Sequence, residues 1–393
     1  MGTLTFKRYT AFVLDKRFVF SLFIALALIA GIKQYAKGSF NNYKIFKYTY
    51  THTIQENSLF NSYPNEYDDT NHYGPVFALI IAPFALLPDA LGTSLWNIAN
   101  ALVLCFGFFS LPLSLKNRSL IALICAHEAF GAMLSFQFNV GLSGLILLSF
   151  SYIVQQKEVK SLFLIALGTL IKLYGIVGLA FFFFSKRKLV FILAGFASLA
   201  LLIVLPMPFS STNFILDSYV EWFKSLAEKN SINASLSSMQ DISLMGMVRR
   251  ISGDATISNL PFLISGIILF ALPYLRVKQY QYLGFRLMLL ASVFIFAVIF
   301  SSSSESPTYI IAFVGVAIWY VIQPSPKKKW MVALFIFAII LTTLSPSDLF
   351  PKYIRVNYVW KYSLKALPCV LIWFTIIYQM LTVDFKNYQL IEE

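Results

Sequence analysis

Charge is scarce in this chain: of its 393 residues only 12% are Asp, Glu, Lys or Arg, while 58% are hydrophobic. With a mean hydropathy of +0.71, polar side chains are too few to clothe one water-soluble core, so lipid must cover much of the apolar surface. Cysteine is nearly absent. Cys105, Cys125 and Cys369 lie in apolar segments with no CxxC or Cys/His grouping, which excludes a disulfide framework and leaves them as packing residues. The three histidines, His52, His72 and His127, follow no His/Asp spacing pattern, so neither a metal nor a cofactor is expected. A glycine-rich phosphate loop and a Ser-His-Asp arrangement are also missing, which argues against soluble nucleotide chemistry.

What the chain has in quantity is apolar sequence in runs of roughly 17 to 25 residues, the length that crosses ~30 Å of hydrocarbon as a helix. Open sheet is ruled out there, because unpaired strand edges find no partner in lipid. The expectation is an all-α, polytopic transmembrane helical bundle, a single membrane domain over 1–393. About ten full spans are expected, near 18–36, 93–115, 119–135, 139–155, 188–206, 260–275, 284–300, 308–323, 330–345 and 363–381. The net charge of +13 does not call for nucleic acid, since Lys and Arg fall in short clusters between apolar runs and form no continuous basic face. The positive-inside rule accounts for them better. Lys7, Arg8, Lys16 and Arg17 precede the first run without a small-residue cleavage site, which reads as an uncleaved signal anchor.

The run 160–185 has Lys157 and Lys160 before it, Lys186, Arg187 and Lys188 after it, and Lys172 at its middle. Two basic flanks predict a short membrane hairpin with Lys172 near its turn; a single span would invert everything downstream. With the N-terminus inside, the hairpin topology gathers most Lys and Arg inside and most acids outside. Two outer loops then exceed the usual connection of about 4–6 residues. The first, 37–92, holds the turn NSYPNEYDDTNHYGP and an apolar stretch from Val76 to Leu87 between Pro75 and Pro88, read as an interfacial helix. In the second, 207–259, an amphipathic helix is expected over 213–229, with Phe214, Tyr219, Trp222, Phe223 and Leu226 towards the headgroups.

Several residues invite chemistry. A lysine inside an apolar run costs about 2.5–3.5 kcal/mol by insertion scales unless paired or solvated, so Lys172 reads as functional, with snorkelling the plain alternative. Glu66, Asp68 and Asp69 cluster beside His72 ahead of the interfacial helix; an ordinary solvated acidic turn is the alternative. Arg249 and Arg250 are a candidate phosphate clamp or a headgroup contact. Glu305 sits in SSSSESPTY at an outer mouth, and Glu128 and His127 lie within a span, where such residues usually turn towards protein.

Four stretches carry a family resemblance. The segment HYGPVFALIIAPFALLP, with Gly74-Pro75 and Phe77 through Pro88, is similar to a Tyr-Pro-Pro-x-Phe-Ala…Pro-Phe-Ala-Leu-Leu-Pro segment and is followed by Leu95-Trp96 and Asn100. Gln137-Phe138-Asn139 resembles Gly-Gln-x-Asn, with Phe136 in place of the glycine; Ile171-Lys172-Leu173 matches Leu-Lys-Leu/Thr. Gln240-Asp241-Ile242-Ser243 ahead of Gly246 and Arg249-Arg250 resembles Asn-Gln-Ser-Leu…Arg. Together, from about Gly38 to Arg250, the chain resembles glycosyltransferase family 87, mannosyltransferase-like membrane enzymes of the GT-C class. In one place it departs: the family's catalytic aspartate, in an Asp-aromatic-x-Val/Ile-Tyr pattern, corresponds here to Asn42 of Asn42-Tyr43-Lys44-Ile45-Phe46.

The resemblance implies a GT-C type bundle in the inner (plasma) membrane, with its active site on the periplasmic or extracellular side. It implies inverting transfer of a hexose, mannose by analogy, from a polyprenyl-phosphate sugar to a lipid or glycan acceptor, with membrane lipids as the other partners. A base, a phosphate holder and a prenyl groove are then needed. Asp69, Asp68 and Glu66 are the candidate bases, with Asp69 first, in the expectation that Tyr67 and Tyr73 partly desolvate it and raise its pKa. Lys172, Arg249 and Arg250 are the candidate holders of donor phosphate. Asn42, His72, Tyr73, Gln137, Asn139, Gln240 and Glu305 are the candidate substrate contacts, Glu305 also being the reserve base. A carrier or flippase for lipid-linked sugars, or a non-catalytic envelope-assembly subunit, would share the groove and cations without a base. In a cysteine-free background, single cysteines at Asn61 and Ser235 should react with an impermeant reagent from the same side; labelling from opposite sides would rule out the hairpin topology.

Overall fold

The computed structural model describes residues 12–388 apart from 234, 237 and 239. Lys7 and Arg8 of the expected anchor, and the terminal Glu392 and Glu393, lie outside the described residues. All regular structure among the described residues is helical. The first apolar run is α1 (Lys16–Ala36), opened by Asp15, whose carboxylate accepts the Arg17 N–H at 2.7 Å. Then come α2 (Asn41–Gln55), α3 (Phe77–Ala85), α4 (Asp89–Ser110), α5 (Leu115–Met133) and α6 (Asn139–Val154). α7 (Glu158–Ile171) and a 3-10 helix (Leu173–Phe184) flank Lys172, and α8 (Lys188–Val204), α9 (Thr212–Asn233) and α10 (Leu244–Ser252) follow. The chain continues through α11 (Leu260–Ala271), α12 (Leu283–Ile299), α13 (Tyr309–Val321) and α14 (Lys329–Ala338) to α15 (Leu367–Thr382).

Among the described residues, four helical stretches are long and apolar enough to cross a membrane: Lys16–Ala36, Asp89–Ser110, Lys188–Phe209 and Leu364–Thr382. Others of the ten expected spans, including Asn139–Val154, Leu283–Ile299 and Lys329–Leu344, are shorter apolar helices. The helical, membrane-type character holds, and four spans reach full length. The chain forms two compact units. One contains the segment up to Leu111 together with Ala132–Glu228; the other contains Pro112–Gly131 together with Lys229–Glu393.

In the first unit, the segment 37–92 contains an α-helix that the sequence reading did not anticipate. α2 is rich in aromatic and β-branched residues, all weak helix formers. Its Tyr43, Phe46, Thr49, His52 and Thr53 nevertheless recur at intervals of about one turn and are buried. Lys47 ties it to α4 through Asp89 at 2.7 Å. In the segment 207–259, α9 covers the expected amphipathic helix but turns Trp222 inwards, with 1% of it exposed, while Phe223 stays exposed. The expected row of headgroup-facing aromatics is therefore corrected at Trp222: Ile215, Ser218 and Trp222, at i, i+3 and i+7, form the buried stripe.

The turn after α5 is held by side chains. Asn97 donates to the carbonyl of Met133 at 3.1 Å, Gln34 to Leu134 at 2.8 Å, Asn42 to Ser135 at 2.8 Å and the Trp96 indole to Phe136 at 2.8 Å. Phe136 has a left-handed backbone, φ 56°, and a buried ring. This is the conformation that glycine adopts without penalty.

α7 and the 3-10 helix fold back on each other. Gly175 lies against Gly168, where an added Cβ would come within 2.3 Å of backbone, and Gly178 against Ile165. At the base, buried Glu158 accepts from Ser185 Oγ at 3.0 Å and Arg187 Nε at 3.0 Å. Fourteen α-helical residues rise about 21 Å and twelve 3-10 residues about 24 Å. The two arms are matched in length, and each is shorter than ~30 Å of hydrocarbon.

The turn yields a stability prediction. Asn42→Asp replaces an amide donor by a carboxylate facing a carbonyl oxygen, at a cost of about 1–3 kcal/mol. The thermal unfolding midpoint in detergent should fall; an unchanged midpoint would mean that the Asn42 amide is not a structural donor.

Candidate functional site

The loop Asn71–Pro75 lies on the tip of the folded-back pair. Asn71 brackets Tyr73, its side-chain oxygen accepting the Tyr73 N–H at 3.0 Å and its amide donating to the Tyr73 carbonyl at 3.1 Å. The Gly74 N–H donates to the Ile171 carbonyl at 3.2 Å. An added Cβ at Gly74 would stand 2.0 Å from the Leu170 carbonyl oxygen, so no larger residue allows this approach. The Tyr73 hydroxyl accepts the Phe138 N–H at 3.1 Å and thereby fixes the start of α6.

These contacts surround Lys172, which leaves α7 in an extended conformation. Its ammonium donates to Asn139 Oδ1 at 2.8 Å, and the Asn139 amide donates to Gln137 Oε1 at 2.8 Å. The ammonium also lies 5.7 Å from the Tyr73 ring centroid and 5.3 Å from that of Tyr174. Aromatic faces and an amide oxygen stabilise the cation. Four residues singled out in the sequence, Tyr73, Gln137, Asn139 and Lys172, are thus brought together, and Tyr174 joins them.

The acidic cluster occupies the chain just before this loop. Asn41 clamps the backbone of Asp68, accepting its N–H at 2.9 Å and donating to its carbonyl at 2.7 Å. Asp69 is left-handed, φ 72°, and its carboxylate accepts the Thr70 N–H at 2.9 Å. Asp68 and Asp69 are exposed, which corrects the expected desolvation of Asp69 by Tyr67 and Tyr73. Glu66 instead lies 2.9 Å from Nε2 of buried His52, beneath Tyr63. Burial pushes the His52 imidazole below its ordinary pKa, and the Glu66 carboxylate draws it back only in part. His72 reaches Ser225 Oγ at 2.9 Å and Thr70 Oγ1 at 3.4 Å, and its carbonyl accepts the Trp222 indole N–H at 2.9 Å. Asn42 serves the turn after α5.

The remaining candidates belong to the second unit. Arg249 is buried, paired with Asp241, and donates to the Ile257 carbonyl at 2.9 Å and to Asn259 at 2.6 Å. Its guanidinium is taken up by the protein. Arg250 donates to Ser363 and to the Asp241 carbonyl. Gln240 is half-buried, its N–H on Ser238 Oγ at 3.2 Å. Glu305 caps the turn at Thr308 and lies 3.8 Å from Lys229. Nothing here presents Arg249 and Arg250 as one open clamp.

The sequence reading overlooked Asp241 as the partner of Arg249, Tyr174 over Lys172, and Lys365. Lys365 donates to buried Glu128 at 2.7 Å and to the carbonyl and hydroxyl of Ser306, each at 3.0 Å. A signal for this pair was present: two opposite charges stand in or at the start of apolar helices, where each needs a partner. Asp241 gave no such signal, because a helix cap intervenes between it and Arg249. His127, half-buried, leaves its Nδ1 without a hydrogen-bond partner.

No curated protein matches the chain. A family model described as glycosyltransferase family 87 matches residues 71–302. That range contains His72, Tyr73, Gln137, Asn139, Lys172, Gln240, Arg249 and Arg250, and excludes Asn42, Glu66, Asp68, Asp69 and Glu305. Since the match covers well over half of its length, the chain belongs to glycosyltransferase family 87.

Proposed function

We propose that the chain transfers a hexose, mannose by family analogy, from a polyprenyl-phosphate carrier to a hydroxyl of a lipid or glycan acceptor, on the outer face of the inner (plasma) membrane. The observation that carries this reading is Lys172. A cation held at a helix break by Asn139, between the rings of Tyr73 and Tyr174, is a ready point charge for a leaving phosphate. Gln137 orients Asn139 and offers amide groups to the same ligand. A single displacement at the anomeric carbon inverts its configuration. The acceptor hydroxyl then needs a carboxylate, and loss of a general base typically costs about 10²–10⁴ in rate.

Asp69 is the leading base. Its carboxylate is exposed and its loop is fixed by the Asn41 clamp on Asp68, whereas Glu66 is engaged with His52. Asp68 is the second choice, and Glu305 is the reserve. A carrier for lipid-linked sugars is the second reading, favoured by one observation: the family's aspartate position holds Asn42, whose amide is committed to the Ser135 carbonyl.

The tests use a labelled polyprenyl-phosphate sugar. Lys172→Met should weaken donor binding about 10–100-fold, the range for a charge-assisted hydrogen bond, while the protein stays folded. Near-native donor affinity would show that Lys172 only snorkels. Asp69→Asn should lower turnover by about 10²–10⁴ with donor binding retained. Asp68→Asn, Glu66→Gln and Glu305→Gln are run beside it. Full turnover in all four would place the base elsewhere; wild-type protein that binds donor and moves it between leaflets without transfer would establish the carrier.

A further inference from the structure

Within the second unit, the start of α5 and the end of α13 enclose a cavity of about 320 Å³, the size of a small-ligand site. Two lysines line it. Lys116 stands in the first turn of α5, where no acid accompanies it. A cation there opposes the helix dipole, so helix stability does not explain its presence. Lys327 precedes α14; its ammonium donates to the Gln323 carbonyl at 3.0 Å and lies 5.0 Å from the Tyr320 ring centroid. Partial burial pulls its pKa down, and a bound anion would offset that.

The rest of the lining divides by character. Asn117 and Gln323 supply polar groups near the lysines, no lining residue is acidic, and Leu120, Ile124, Val321 and Ile322 form an apolar wall. A free inorganic anion would use the lysines and leave that wall idle. An amphiphile with a phosphate at one end uses both. Lys328 and Lys329 adjoin the site, and such clusters are attracted to anionic lipid surfaces.

We propose that this cavity binds the phosphate headgroup of an anionic membrane lipid, with the upper part of an acyl chain against the apolar wall. The site is built from residues other than those around Lys172 and does not depend on the transfer reaction.

The test reconstitutes the full chain in nanodiscs of phosphatidylcholine with a minor share of phosphatidylglycerol and quantifies retained lipid by mass spectrometry. Wild type should enrich phosphatidylglycerol over the bulk composition, and Lys116→Gln/Lys327→Gln should cut that enrichment about fivefold or more per lysine. Lys328→Gln/Lys329→Gln, with the same loss of charge outside the lining, should keep it. Should the lining double variant not fold, Leu120→Trp, which fills the cavity and leaves both lysines, should also lose enrichment. Retained enrichment in the folded lining variant, or equal loss in the Lys328/Lys329 control, overturns the site. Displacement of the lipid by millimolar inorganic phosphate would assign the cavity to a soluble anion and overturn the lipid reading.

Discussion

Four successive carbonyl oxygens, from Met133 to Phe136, each receive a side-chain hydrogen bond, from α1 through Gln34, from α2 through Asn42, and from α4 through Asn97 and Trp96. A carbonyl left unpaired in a buried setting costs about 1–3 kcal/mol, so each of the three helices helps to hold the turn. The grouping around Lys172 inherits this geometry directly. Gln137 follows the turn, Phe138 gives its N–H to Tyr73, and Asn139 opens α6 beneath Lys172. Side chains on five segments are thereby placed by one run of backbone.

The same turn holds both Asn42 and Phe136, two positions at which the resemblance implied other residues, an aspartate and a glycine. In the structure the Asn42 amide reaches the carbonyl of Ser135, the residue next to Phe136. An aspartate could not make that bond, and a glycine would forgo the buried Phe136 ring beside Tyr43. Both residues contribute to holding a turn.

Most apolar helices were legible because their composition leaves lipid or a buried core as the only setting, and the break at Lys172 because a lone charge interrupts an apolar run. α2 was not, since three tyrosines and five β-branched residues mask a stripe that reads clearly only once Tyr43, Phe46, Thr49 and His52 are known to share a face. The grouping of Tyr73, Gln137, Asn139 and Lys172 was only half legible: each residue stood out in its own stretch, but their meeting depends on Gly74 lying on the hairpin tip. Arg249 misled because an arginine pair reads as exposed, and only tertiary structure supplies Asp241. Trp222 misled in the same way, since an amphipathic helix shows its two faces in sequence but not which of them meets protein.

The pairing of Glu128 with Lys365 joins residues 237 positions apart. During synthesis α5 is made long before α15, and for that interval Glu128 has no lysine to meet. A buried carboxylate without its cation is costly, so the packing of α5 in the second unit is completed only once Lys365 has been made. A chain truncated ahead of Lys365 would retain the residues around Lys172 and lose the lysine that pairs with Glu128, so the second unit depends on a segment far along the chain in a way that the Lys172 grouping does not.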